Sequence, residues 1–190
     1  MRAPRNPMIE PADLRLLSAP LDFLEAEHYR FRAFLAHLER MAADHRVARR
    51  AATARFLLDF LLGDIARHLA EEAEALFPLL RERCQAADGI DRILGLVEGE
   101  RARARDLSLA VIAGLRECAS RCAPEAGFAA IVATFIGAMR RHIDWENALV
   151  LPLARKRLTS GDLARLAADM ATRCGAGGDS VAARQGYFGE

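Results

Sequence analysis

Six residues with metal-ligating side chains stand where helical spacing calls for apolar ones: His28, His68, Glu72, Glu100, His142 and Glu146. His68 and Glu72 are four residues apart, as are His142 and Glu146, so each pair shares one face of a helix, one turn apart. A carboxylate buried without a partner costs several kcal/mol even after relaxation. It must be neutralised by a proton or offset by a cation. Two divalent ions would bring four positive charges, which three carboxylates and one bridging hydroxide cancel. Imidazole and carboxylate donors with no thiolate suit iron or manganese, with zinc as a further occupant. Glutamates bridging two such ions would set them a few ångströms apart.

The elements that must position these groups are helices. Ala, Leu, Arg and Glu dominate, and no stretch alternates with a period of two for long. Four long patterns are expected, over about 20–44, 49–85, 89–122 and 124–158. The first carries Leu21, Leu24, Phe31, Leu35, Leu38 and Ala42 on one face, interrupted by His28. His68 and Glu72 continue the second face after Leu57, Leu61 and Ile65, ahead of Leu76 and Leu79. His142 and Glu146 continue the fourth after Phe128, Ile131 and Phe135.

On the third pattern the inward candidate is Glu100, which shares a face with Ile93, Leu96, Val97, Ala104, Leu107 and Val111. Arg101 is then offset by about 100° toward Glu98 and Arg105. Short connections at 45–48, 86–89 and 123–125 imply antiparallel neighbours, hence an all-α, up-down-up-down four-helix bundle over residues 18–158. Residues 1–17 read as an N-terminal arm. Thr159 to Asp162 resembles a capping box opening a short fifth helix to about Arg173, with a Gly-rich, flexible tail from Cys174.

Two segments echo each other. HLAEEAEALFPL from His68 and HIDWENALVLPL from His142 both read His, three residues, Glu, five residues, Pro-Leu. Proline inside a helix costs roughly 3 kcal/mol and tends to kink it, so the matched Pro78 and Pro152 suggest a duplicated helical hairpin. Of the neighbouring residues, Tyr29 and Trp145 should project to other faces and serve packing. Glu71, Asp144, His37 and His45 should face solvent.

Composition narrows the partners. The chain has 190 residues, 52% hydrophobic and 28% charged, with 27 Lys+Arg against 26 Asp+Glu and a formal charge of +1. That balance leaves no field to recruit nucleic acid or an anionic membrane. No apolar run reaches the roughly 20 residues of a bilayer span, and no signal peptide is expected. Cys84, Cys118, Cys122 and Cys174 lack zinc spacing and read as small packing residues in a reducing, cytoplasmic setting.

With its lone His28, then 68-HLAEE-72 before LFPLL, then 142-HIDWE-146 before LVLPL, the chain resembles the hemerythrin-like proteins of the HHE cation-binding type. The resemblance covers about Leu21 to Leu158. It implies a four-helix bundle around a non-haem centre of two iron ions, oxo- or hydroxo-bridged, that handles oxygen, peroxide or nitric oxide, or senses iron. His28, His68, His142, Glu72 and Glu146 would be ligands, with the two glutamates bridging. The family's third-helix histidine is missing from LVEGERARARDL, where Glu100 or Arg101 takes its place. A carboxylate there would favour the ferric state, and with it oxidation, peroxide turnover or storage rather than reversible oxygen carriage. An inward Arg101 would weaken or empty one metal position.

The functional expectation is a sensor or protective protein for a small diatomic or peroxide ligand. No general base or nucleophile is evident beyond the ligands, so no enzyme activity is assigned. The alternatives are iron storage or delivery, and a metal-free helical interaction module whose core polar groups satisfy one another.

Overall fold

The computed structural model describes residues 9–43 and 47–176. Helix α1 is Pro20–Ala43, and Pro20 suits a first turn because its missing N–H has no helical partner there. Helix α2 runs over 47–83 as Val47–Phe60, Ala66–Glu71 and Phe77–Arg83, joined by π turns at Leu61–Ile65 and Glu72–Leu76. Helix α3 is Ile90–Ala119. Helix α4 runs over 128–157 as Phe128–Trp145 and Leu151–Arg157, joined by a π turn at Glu146–Val150. Helix α5 is Ser160–Ala176. No strand occurs among the described residues.

Helix α4 starts later than its sequence suggests. Gly127 adopts a left-handed φ of 92°, which ends the turn after Pro124 and starts the helix at Phe128. The expected kinks at Pro78 and Pro152 take a particular form, a π turn filling the five residues before Phe77 and before Leu151. Proline lacks an N–H and its ring crowds the carbonyl four residues back, so a wider turn relieves both problems. Each of these π turns begins on a glutamate of the echoed segments, Glu72 or Glu146.

Helix α3 packs on α4 and on α2, while α1 packs on α4 and on α2. Gly114 permits the close approach of α3 and α4, since a Cβ there would overlap the Phe128 ring. The capping box forms as expected: Thr159 N–H and Oγ1–H donate to Asp162 Oδ2 at 3.0 and 2.7 Å, and Asp162 N–H donates to Thr159 Oγ1 at 3.2 Å. Arg83 adds two bonds to the same carboxylate, tying α5 to the end of α2.

Described residues near both ends pack on the helices. Ile9 is buried, Leu14–Ser18 forms a 3-10 turn against α1 and α5, and Arg30 Nε donates to the Glu10 carbonyl at 2.8 Å. Residues 9–18 therefore lie against the helices. Cys174, Gly175 and Ala176 continue α5 where a flexible tail was expected. The tail from residue 177 on, like His45, lies outside the described residues.

The apolar core divides into two clusters along the helices. One gathers Phe31, Leu35, Leu61, Ile65, Leu69, Ala104, Val111, Phe135 and Ile143. The other gathers Leu21, Leu24, Ala75, Leu76, Leu94, Val97, Val150 and Leu151, with Leu166 and Met170 of α5. On every long helix the boundary between them falls at a polar residue: His28 on α1, Glu72 on α2, Arg101 on α3 and Glu146 on α4. A polar belt thus lies between two dry halves.

Candidate metal centre

His28, His68, Glu72, His142 and Glu146 converge in that belt, each at most 1% exposed. His68 Nε2 lies 2.8 Å from Glu72 Oε1 and 3.2 Å from His28 Nε2. His28 Nε2 lies 3.1 Å from Glu146 Oε2, and His142 Nε2 lies 3.3 Å from Glu146 Oε1 and 3.7 Å from Glu72 Oε2. Ligand atoms of His28, His68, Glu72 and Glu146 all fall within 4.8 Å of one another. The two His–Glu pairs meet because each spans one helical turn at the cluster boundary.

The opposite ring nitrogens are all engaged by oxygen. His28 Nδ1 is 2.8 Å from Asn147 Oδ1, His68 Nδ1 is 2.9 Å from Glu27 Oε2, and His142 Nδ1 is 3.5 Å from the Val97 carbonyl. A carbonyl or carboxylate oxygen only accepts, so each Nδ1 is the donor. In the neutral tautomer, every Nε2 then turns a lone pair into the centre, where the carboxylates also turn theirs. Such a cluster holds together only around a cation or added protons. In keeping with this, Glu72 Oε2, both Glu146 oxygens and His142 Nε2 are buried without a hydrogen bond. Orienting imidazoles through their outer nitrogens is the usual support of a metal site. The residues present fit a metal ion.

Without a metal, protons take the cation's part. Burial opposes charging of His28, but Glu146 and Glu72 carry its pKa up to about 9. His68 is likewise buried, yet Glu72 and Glu27 hold it well above its usual value. Burial works against ionisation of Glu72, while His68, His28 and His142 hold its carboxyl well below the carboxylate range.

Glu100 is the correction among the sequence-derived site residues. Its carboxylate pairs with Arg141 at 2.9 Å and Arg103 at 3.4 Å, and it is not among the grouped ligand atoms of the centre. The buried face of α3 is Ile90, Leu94, Val97, Ala104, Ser108, Val111, Leu115 and Cys118, spaced by threes and fours with Arg101 in the gap. The Ile93–Leu107 phase chosen from the sequence is one residue off: Ile93 and Leu107 are only partly buried, and Leu96 is 40% exposed. Arg101 is therefore the residue that α3 presents at the belt. Burial presses its pKa down, opposed by Glu72 and Glu146.

Glu71 is a second correction. Expected in solvent, it is 1% exposed, 3.7 Å from Arg67 Nε, with neither carboxylate oxygen hydrogen-bonded. Helix α5 lies against this part of α2, with Arg173 paired to Glu74. Tyr29 at 68% and Trp145 at 37% exposed project to other faces as expected, but they stand in solvent rather than in packing; Asp144 pairs with Arg32 at the surface, and His37 contacts Arg40 there. All four cysteines are free, and only Cys118 is fully buried.

Glu27 and Asn147 contact histidines of the centre, and the sequence reading did not single them out. Glu27 stands three after Leu24 and four before Phe31, so it lies on the apolar stripe, a signal that was available. Burial opposes its ionisation, but His68 and Arg67 hold its carboxyl below the usual range. Asn147 directly follows Glu146, and nothing in its spacing marks it.

The family model of the hemerythrin HHE cation-binding domain matches residues 19–154, from the start of α1 to the last turn of α4. The chain belongs to that family, and its buried histidines and glutamates form a group that could hold a metal ion. Neither a curated protein nor a solved structure matches the chain.

Proposed function

We propose that this chain is a non-haem iron protein that binds or reacts with dioxygen, peroxide or nitric oxide, in a sensing or protective capacity. The supporting observation is the set of three Nε2 atoms and two carboxylates facing one another in a dry belt, with every Nδ1 engaged from outside. His28, His68, His142, Glu72 and Glu146 would hold the iron. Iron supplies redox and ligand-binding chemistry toward small oxygen and nitrogen species when bound.

The chain's own residues do the rest. Glu27, Asn147 and the Val97 carbonyl fix the ring orientations, so the donors are in place before an ion arrives. The clusters around Phe31 and Leu24 keep bulk water from the donors. An up-down-up-down order of α1 to α4 would bring the boundary residues of all four helices to one level. No helix among the described residues is long and apolar enough to cross a membrane. A cytoplasmic protein with no nucleic-acid partner accords with that and with the near-neutral charge.

The test is elemental analysis and an absorption spectrum of protein reconstituted with ferrous iron without oxygen, then exposed to air or nitric oxide. Bound iron with new near-ultraviolet bands on exposure is expected. No bound metal, with melting indifferent to chelator, would leave a helical interaction module with protonated histidines. Iron accumulating well beyond the site's capacity would indicate storage.

A further inference from the structure

We propose that Arg101 takes the place of a second cation, so that this chain holds a single metal ion, at His28, His68, Glu72 and Glu146, beside a fixed guanidinium. The inference rests on the metal-binding reading and goes beyond it in fixing how many ions are bound and where.

Three placements support it. Arg101 fills the gap in the buried face of α3 between Val97, which belongs to one apolar cluster, and Ala104, which belongs to the other. That is the level at which α1, α2 and α4 present His28, Glu72 and Glu146. The turn before Arg101 is in direct contact with the centre, since the Val97 carbonyl meets His142 Nδ1 at 3.5 Å. The tight group of ligand atoms comprises His28, His68, Glu72 and Glu146 and leaves out His142. The side of the site that α3 lines is thus the side where ligands are sparse.

Charge and donor chemistry agree. An arginine stays protonated and has no lone pair to give, so it brings positive charge without ligation. Glu72 and Glu146 together carry two negative charges, so one divalent ion beside Arg101 already brings the group to a net charge of +1. A second divalent ion would add two more positive charges beside a guanidinium, in a belt where little water screens them. Among the described carboxylates nearby, Glu27 is engaged with His68 and Arg67, Glu71 lies beside Arg67 at 3.7 Å, and Glu100 pairs with Arg141. Glu72 and Glu146 also oppose the burial penalty on Arg101, in keeping with its place at their level on α3.

The test is iron stoichiometry of the full-length chain after anaerobic reconstitution with ferrous iron, for the wild type, Arg101→Lys and Arg101→His. Electron paramagnetic resonance of manganese-loaded samples would report isolated or coupled ions. About one ion per chain is expected for the wild type and Arg101→Lys, with an isolated-ion manganese spectrum, rising to about two and a coupled spectrum for Arg101→His. Two ions in the wild type would overturn the inference and leave the metal-binding reading intact. A folded Arg101→His that still binds only one ion would also overturn it. No ion in any of the three would overturn both. Should Arg101→His fail to fold, the wild-type and Arg101→Lys stoichiometries decide the matter.

Discussion

Glu27 Oε2 accepts a hydrogen bond from His68 Nδ1 at 2.9 Å, which fixes the tautomer that turns His68 Nε2 toward Glu72 and His28. Arg67 holds the other Glu27 oxygen at 2.9 Å, so the carboxylate is itself held in place. A chain of three buried or half-buried groups thus runs from the edge of α2 to the centre.

Glu27→Gln should weaken metal binding without removing a ligand. The amide can rotate to offer either an oxygen or an N–H to His68, and it loses the charge that supports the ring's basicity. Loss of such a partner typically costs 10–100-fold in affinity, about 1.4–2.7 kcal/mol. Competition with a chelator of known affinity measures this. An unchanged dissociation constant would show that Glu27 only balances Arg67.

Removing a ligand should act on affinity and stability together. His68→Ala takes an imidazole from between Glu72 and His28 and leaves two carboxylates with less to hold a cation. Because an ion that binds only the folded state stabilises it by mass action, iron should raise the melting temperature of the wild type and not that of the variant. Calorimetry with and without iron checks it. An equal iron-dependent shift in both proteins would remove His68 from the ligand set.

Much of this architecture was legible in the sequence, and the failures have physical causes. The His28, His68 and His142 positions could be read because an imidazole on an apolar stripe breaks a period that packing otherwise keeps. Their glutamates could be read because one helical turn fixes the pairing. Helix α3 was mis-phased because Ile93, Leu96 and Leu107 are apolar at the flank, while Ser108, Gly114 and Cys118 are small on the buried face. Hydrophobicity alone favoured the wrong side by one residue, and so Glu100 over Arg101. The burial of Glu71 depends on α5 lying against α2, a tertiary fact with no counterpart in the spacing of α2. The π turns at Glu72–Leu76 and Glu146–Val150 were foreshadowed by Pro78 and Pro152, whereas nothing in the sequence marks the one at Leu61–Ile65.

Glu100→Gln should leave the centre unaffected. The carboxylate is held below its usual range chiefly by the Arg141 hydrogen bond, so its partners are exposed guanidiniums rather than the donors of the centre. Iron content and absorption spectrum are therefore expected to match the wild type. A changed spectrum would place Glu100 at the metal after all.

Glu71 gives the metal-free protein a pH dependence with a definite sign. Burial, aided by the negative charge of Glu27, raises its pKa from 4.5 to about 7. Between those values the folded state binds the proton more tightly than the unfolded chain. Stability from this group is thus full below about pH 4.5 and is lost as pH rises toward 7. The loss is on the order of 3 kcal/mol at most, because one pKa unit corresponds to about 1.4 kcal/mol. Glu71→Gln cannot ionise, so chelator-treated variant should lose less stability between pH 5 and pH 7 than chelator-treated wild type. His28 contributes its own decline at higher pH, as its proton is lost toward about 9, and that decline is common to both proteins. Urea unfolding at pH 5, 6, 7 and 8 measures the difference directly. Parallel curves for the two proteins across that range would mean that the Glu71 carboxylate reaches solvent or a cation when it ionises.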